Sequence, residues 1–239
     1  MLPLVHHTVR LALAGMAWLP AGSYRPLHVP AGGERTAVAA FWLDREAVTR
    51  ADFLAFVRDH PSWRRSRVQT DLAEPAYLAD WSGDLDAGSR AQLDEPVTGV
   101  SWFAANAYCV AHGKRLPTTD EWEYAAAASE TRRDATGDAA FRRRLVALSQ
   151  LRGTTFRNVY GVSGLHGVIW EWTADDRARH DAMHAGAREH DPAHDATCAA
   201  AALGAGDATN YAAFLRDALR AGLTAATANS HLGFRCAAG

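Results

Sequence analysis

The chain has 239 residues, of which 48% are hydrophobic and eight are tryptophan, so it is a globular protein with a sizeable core and not a disordered chain. Its formal net charge of −2 argues against a nucleic-acid partner, which would require a basic face. The longest apolar run near the start, residues 11–22, is too short to span a bilayer, so we expect no membrane span.

The first residues, 1–15, are interpreted as a leader remnant or an additional amino-terminal segment, because two histidines and an arginine precede the apolar run. We expect the domain itself to begin with a strand from Met16 to Leu19. The turn residues 20–23 follow it directly.

Apolar periodicity predicts helices over 49–57, 101–110, 118–128, 138–150 and 210–223. Thr49 and Ser101 are favourable N-caps for the first two. Thr118 and Glu121 have the spacing of a capping box for the third. These start signals predict where those three helices begin.

Short aromatic stretches predict strands at 41–44, 168–172 and 232–236. There are no repeats, and the one biased segment, 176–210, is rich in His, Ala and Asp. We therefore expect a single irregular α+β domain over residues 1–239, with low secondary-structure content. The arginine cluster at 141–145 is interpreted as a solvated face.

A histidine-rich stretch, HDAMHAGAREHDPAHDATC, occupies residues 180–198. Neutral imidazole and thiolate are preferred ligands of copper and zinc. The candidate metal ligands are His180, His184, His190, His194 and Cys198. The alternative, which the repetitive composition favours, is a solvated surface loop.

The chain contains three cysteines, Cys109, Cys198 and Cys236. An odd count leaves one thiol over if a disulfide forms, and sequence alone does not assign the pair. Cys198 is a candidate nucleophile or soft metal ligand, with His194 nearby. A buried, inert thiol is the alternative.

Three long blocks carry a resemblance to a known family: PVTGVSWFAANAYCVAHGKRLPTTDEWEYAA (96–126), NVYGVSGLHGVIWEWTAD (158–175) and NSHLGFRCA (229–237). In this order they resemble the landmarks of the formylglycine-generating enzyme (sulfatase-modifying factor) family. The resemblance implies a variant C-type-lectin-like fold. It also implies a disulfide between Cys109 and Cys236, with Cys198 left as the free thiol.

The chain departs from this family at its metal sites. The family's enzymes bind copper(I) through two nearby thiolates and oxidise a substrate cysteine, whereas the corresponding stretch here, 197–223, contains only Cys198. Val168 replaces an asparagine of a calcium site, and the helix predicted over 138–150 replaces a loop that supplies calcium ligands. Since calcium takes about six to eight oxygen ligands, we expect it less than in the family's enzymes.

The resemblance also suggests residues of a substrate groove. His166 would lie at its base as a catalytic candidate, although a lone histidine is more often structural. Asn158, Tyr160 and Arg220 would line a polar pocket. These roles are implied by the family alone.

The triplet Trp170-Glu171-Trp172 invites a catalytic interpretation, but core packing is the stronger one. A buried glutamate needs a cationic partner. We expect Glu171 to pair with Arg115 or Arg235.

The block 164–172 and the long segment after it resemble a branch that includes accessory proteins encoded beside copper-containing nitrite reductases. The favoured function is therefore an accessory or maturation protein that binds a protein or peptide, such as a copper nitrite reductase-like metalloprotein, without formylglycine chemistry. One alternative is a metal-dependent oxidoreductase using the histidines of 180–194 and Cys198, since some branches of the family run chemistry with iron and histidines. The other is a non-catalytic lectin-like binding module.

The implied disulfide favours a periplasmic or secreted protein, and a cytoplasmic location is the alternative.

Overall fold

The computed structural model describes residues 13–26, 34–150, 156–176 and 223–239. The strands in these ranges are β1 (Met16–Leu19), β2 (Gly22–Tyr24), β3 (Thr36–Val38), β4 (Phe41–Asp44), β5 (Trp170–Glu171), β6 (Leu232–Gly233) and β7 (Ala237–Ala238). The α-helices are α1 (Arg50–Asp59), α2 (Trp102–Ala111), α3 (Thr119–Ala126) and α4 (Ala139–Gln150), and a 3₁₀ turn covers Pro61–Trp63. Short elements of both kinds joined by long irregular stretches confirm the predicted α+β class.

The sheets pair segments from opposite ends of the chain. β4 lies between β1 and β7 in an antiparallel sheet, so Ala237 and Ala238 pair with a strand from the first part of the sequence. β2 and β3 form a second antiparallel pair, and β5 and β6 a short parallel pair. The β5–β6 pair places Trp170 beside Leu232.

The helices begin where the capping residues predict. The Thr49 side chain accepts a hydrogen bond from Asp52 N, and the Asp52 side chain accepts one in return from Thr49 N. Thr118 and Glu121 form the expected capping box at the start of α3. Each cap satisfies backbone N–H groups that the first helical turn leaves without partners.

The start of α2 and of α4 follows the same rule. The Ser101 side chain accepts from Ala104 N, which places Trp102 at the first position of α2. The Asp138 side chain accepts from Ala140 N at 2.8 Å, and α4 covers the predicted range.

The main core packs α1 and α2 against the β5–β6 pair, with Phe53, Trp172 and Phe234 almost completely buried. A second core lies between the β1–β4–β7 sheet and α3, and a small third one lies under α4. Buried aromatic side chains therefore stabilise the long irregular stretches. The high number of tryptophans in the sequence is consistent with this.

Several boundaries differ from the prediction. The strands predicted at 168–172 and 232–236 shrink to two residues each, because Arg235 turns into the interior and binds backbone carbonyl groups on other segments. Pro96 pairs with Thr49 only as an isolated bridge, since proline has no N–H to extend a ladder. The segment 1–12 lies outside the described residues, and so does the helix predicted over 210–223 apart from Leu223, which is not helical.

Candidate functional site

Trp102, at the first position of α2, contacts two segments that are distant in sequence. Its indole Nε1 donates a hydrogen bond to Thr173 O at 2.8 Å, and its backbone N donates to Ala225 O at 3.0 Å. Thr173 shortly precedes residues 177–222, and Ala225 shortly follows them. One tryptophan thus joins the chain on both sides of the stretch that contains the candidate ligands; we call Trp102, Thr173 and Ala225 the Trp102 junction.

Threonine and aspartate side chains fix the chain at the entry to this junction. The Thr173 backbone N and Oγ1 both donate to Asp176 Oδ2, at 2.7 and 2.9 Å. Asp175 Oδ2 accepts from Thr119 N at 2.6 Å. The two carboxylates therefore act as backbone caps, which orients the chain as it leaves β5.

The exit side is held by Glu74. Its backbone N donates to Ala226 O, and its carboxylate accepts from Thr227 Oγ1 at 3.1 Å and from Ala228 N at 3.4 Å. The segment that returns to β6 is thus fixed by a residue from the irregular stretch after α1. Sequence reasoning missed Trp102 and Glu74 as organising residues, because only their distant partners reveal the role.

Glu171 forms the expected buried ion pair, and its partner is Arg235. Arg235 Nε and Nη2 each lie 2.7 Å from a different carboxylate oxygen, and both side chains are inaccessible to solvent. Trp122 Nε1 also donates to Glu171 at 2.8 Å. Arg115, the other candidate, pairs with Glu121 instead. These contacts support the structural interpretation of the triplet.

His166 lies in an aromatic environment at 8% exposure. Its Nε2 donates to Ala126 O at 2.9 Å, and its ring stacks on Phe156 and meets Phe141 and Trp122 edge-on. This geometry supports a packing role. The catalytic role stays a prediction.

Asn158 and Tyr160 are also engaged within the protein. Asn158 Nδ2 donates to Ala125 O, and its Oδ1 accepts from the backbone N of Tyr160 and of Val162. The Tyr160 hydroxyl donates to the Tyr124 hydroxyl at 3.0 Å, and burial followed by this hydrogen bond raises the pKa of Tyr160. Asn158 thus closes a tight turn, and a groove role for either residue stays a prediction.

The remaining candidate residues, which are His180, His184, His190, His194, Cys198 and Arg220, lie outside the described residues. Within the described ranges, no group of three or more His, Cys, Asp or Glu side chains is placed to hold a metal ion. No helix in those ranges is long and apolar enough to cross a membrane.

Cys109 and Cys236 form a disulfide, as the resemblance implies. Both residues are completely buried, between α2 and the segment leading into β7. Since the sequence holds three cysteines, one thiol remains, that of Cys198. The chain therefore does not fit a copper site built from two thiolates.

Comparison with known protein families agrees with the sequence blocks. A family model described as the sulfatase-modifying factor enzyme 1-like domain matches residues 3–239. The inactive C-alpha-formylglycine-generating enzyme 2 of Bos taurus is 32% identical over 251 aligned residues, covering 84% of this chain and 78% of that protein.

Two further relatives are named for activities. The formylglycine-generating enzyme of Streptomyces coelicolor is 30% identical, with 91% of this chain and 82% of that enzyme covered. The hercynine oxygenase of Mycolicibacterium thermoresistibile is 32% identical, but the alignment covers 63% of this chain and only 37% of that protein. With a family match over nearly its entire length, the chain belongs to the formylglycine-generating enzyme (sulfatase-modifying factor) family.

Proposed function

We propose that the chain is an accessory or maturation protein that binds a partner protein or peptide and does not carry out copper-dithiolate formylglycine chemistry. The observation that carries the proposal is the Cys109–Cys236 disulfide, because it uses two of the three cysteine sulfurs in the chain. A copper(I) site of this type needs two thiolates, and the chain has only one free cysteine left to supply one. The bovine relative, whose name calls it inactive, supports the same conclusion.

The fold on either side of the segment that lacks the second cysteine is nevertheless well ordered by specific contacts. The Glu171–Arg235 ion pair and the Trp102 junction hold the segments that flank residues 177–222 in fixed positions. A chain that keeps this framework without the thiolate pair fits a binding role better than formylglycine formation. The disulfide also fits an oxidising compartment, so we propose a periplasmic or secreted location.

The proposed partner is a copper nitrite reductase-like metalloprotein. Isothermal titration of the full chain against the copper-free and the copper-loaded reductase tests this directly. The proposal expects saturable binding with a preference for one of the two forms, since a maturation protein must release its finished client. A blue-copper protein of similar net charge serves as the control, and equal or absent binding to all three contradicts the proposed partner.

A metal-dependent oxidoreductase is the second candidate, and the hercynine oxygenase relative favours it. Copper or zinc held by His180, His184, His190, His194 and Cys198 would supply its redox or Lewis-acid centre. Elemental analysis after incubation with each metal tests the site, with Cys198→Ala as the variant and His112→Ala as a matched control at an exposed histidine of the described fold. One metal per chain that Cys198→Ala removes and His112→Ala retains would favour this candidate over the accessory role.

A further inference from the structure

The surface around α4 concentrates positive charge in a chain that is acidic overall. Residues 130–144 contain five arginines and three acidic residues, a local excess of two positive charges, while the whole chain carries −2. We call Arg132, Arg133, Arg142, Arg143 and Arg144 the basic face. Four of the five, all except Arg142, are exposed.

The acidic residues beside the basic face are held by the fold. Asp138 Oδ1 caps α4, and the hydrogen bonds from Ala140 N and Phe141 N lower the pKa of Asp138. Asp134 Oδ1 accepts from Thr136 N and Oγ1, and its Oδ2 lies 2.8 Å from Arg35. Asp138 Oδ2 lies 3.7 Å from Arg132 Nη1, so the two carboxylates pair with Arg35 and Arg132, and neither forms an ion pair with Arg133 or Arg143.

The arginines differ in what holds them. The Arg144 guanidinium lies 4.5 Å above the Phe156 ring and 2.6 Å from Glu130 Oε1, and these two contacts hold the Arg144 side chain in place. Arg133 and Arg143 form no hydrogen bond or ion pair with any described residue, and the charge of Arg143 acts on Asp138 only as one of the weaker causes of its lowered pKa. Two exposed guanidinium groups therefore stay available to pair with an anion from outside the described fold.

The apolar side of α4 faces the protein interior. Phe141, Leu145 and Leu148 are buried in the small third core, with Phe156 packed against them. The helix therefore offers no apolar stripe for insertion into a lipid surface. A nucleic-acid partner would require a more extensive basic surface than this acidic chain provides.

We propose that the basic face binds an acidic segment of a partner protein, with side-chain carboxylates pairing to Arg133 and Arg143. The planar guanidinium fork matches a carboxylate with two parallel hydrogen bonds, and clusters of arginine are a recurring means of recognising acidic motifs. This inference deepens the proposed accessory role, and it rests on that role in assigning the segment to a partner protein.

Fluorescence anisotropy of a labelled oligoglutamate peptide with the full chain tests the surface. The variant Arg133→Glu/Arg143→Glu is expected to weaken binding about tenfold, and added salt to weaken it further. The control Arg58→Glu/Arg67→Glu reverses the same charge at exposed arginines elsewhere and is expected to weaken binding far less. Equal melting temperatures of the two variants show that the fold is retained.

Equal weakening by both variants would overturn the proposal, because net charge alone would then explain binding. Tighter binding of an oligonucleotide or of anionic phosphatidylserine vesicles than of the peptide would overturn it as well. If the nitrite reductase complex forms and Arg133→Glu/Arg143→Glu leaves it intact, the basic face fails while the accessory role stands. If the peptide binds as expected but no reductase complex forms, the basic face stands and the proposed partner fails.

Discussion

Glu171 and Arg235 form a two-pronged ion pair in which neither side chain is accessible to solvent. Arg235 also donates to the backbone carbonyl groups of Asp44 and Ser163, so one side chain joins β4, the loop before β5 and the strand β5 itself. Because every charge in this arrangement has a partner, the pair organises the interior of the fold.

Replacing Glu171 with alanine is expected to lower the free energy of unfolding by about 3–5 kcal/mol, because the guanidinium of Arg235 would stay buried without its counter-ion. Urea unfolding measures this. The control is Glu130→Ala, which removes an exposed partner of Arg144 and is expected to cost less than about 1 kcal/mol. Similar losses in the two variants would contradict the structural role of Glu171.

The second prediction concerns the Trp102 junction. Trp102→Phe removes the indole N–H and leaves the buried Thr173 carbonyl without that donor, which is expected to cost about 1–3 kcal/mol in addition to the lost ring contacts. Trp18→Phe is the matched control, since Trp18 is 48% exposed and, among the described residues, its indole makes only a ring contact with Trp42. Equal stability of both variants would show that the junction does not hold the chain.

The third prediction is a pH dependence at the start of α4. Hydrogen bonds from Ala140 N and Phe141 N hold the pKa of Asp138 below its ordinary value. Its contribution to stability is therefore complete above the unfolded-state pKa of about 3.9 and is lost as the pH falls through the lower folded-state pKa.

Asp138→Asn keeps a capping side chain without the charge, so it is expected to flatten this part of the acid unfolding curve. Asp138→Ala removes the cap and is expected to lower stability at neutral pH too. Urea unfolding at a series of pH values separates the two effects. An unchanged acid limb in Asp138→Asn would show that Asp138 does not contribute to it.

Sequence patterns are most successful for features that depend on residues close together in the chain. The caps at Thr49, Ser101 and Thr118 each involve partners within three positions, so composition and spacing reveal them. Strand limits near 170 and 232 were predicted too long, because Arg235 and its distant partners interrupt the ladder. Only a folded chain shows such contacts.

The candidate site also combines features that the sequence predicts with features that only the fold reveals. The Cys109–Cys236 pairing came from the family resemblance and not from spacing, and the structure confirms it. A buried partner for Glu171 followed from the cost of an unpaired charge, but the choice between Arg115 and Arg235 required the fold. Trp102 carries no local sign that its partners are Thr173 and Ala225.

The fourth prediction concerns the disulfide. Cys109→Ala/Cys236→Ala is expected to lower the free energy of unfolding by about 2–5 kcal/mol. Because both cysteines are fully buried, reductant is expected to break the bond in the native chain only as it unfolds. Thiol labelling of the Cys198→Ala variant with and without urea measures this, and rapid labelling of that variant in its reduced native state would contradict the observed burial.

The most direct test of the central claim is a mass-spectrometric assay for formylglycine formation on a cysteine-containing sulfatase peptide, with copper and oxygen present. The Streptomyces coelicolor enzyme serves as the positive control. A chain with a single free thiol is expected to leave the peptide unconverted under conditions in which the control converts it. Conversion of the peptide to formylglycine by this chain would contradict the account.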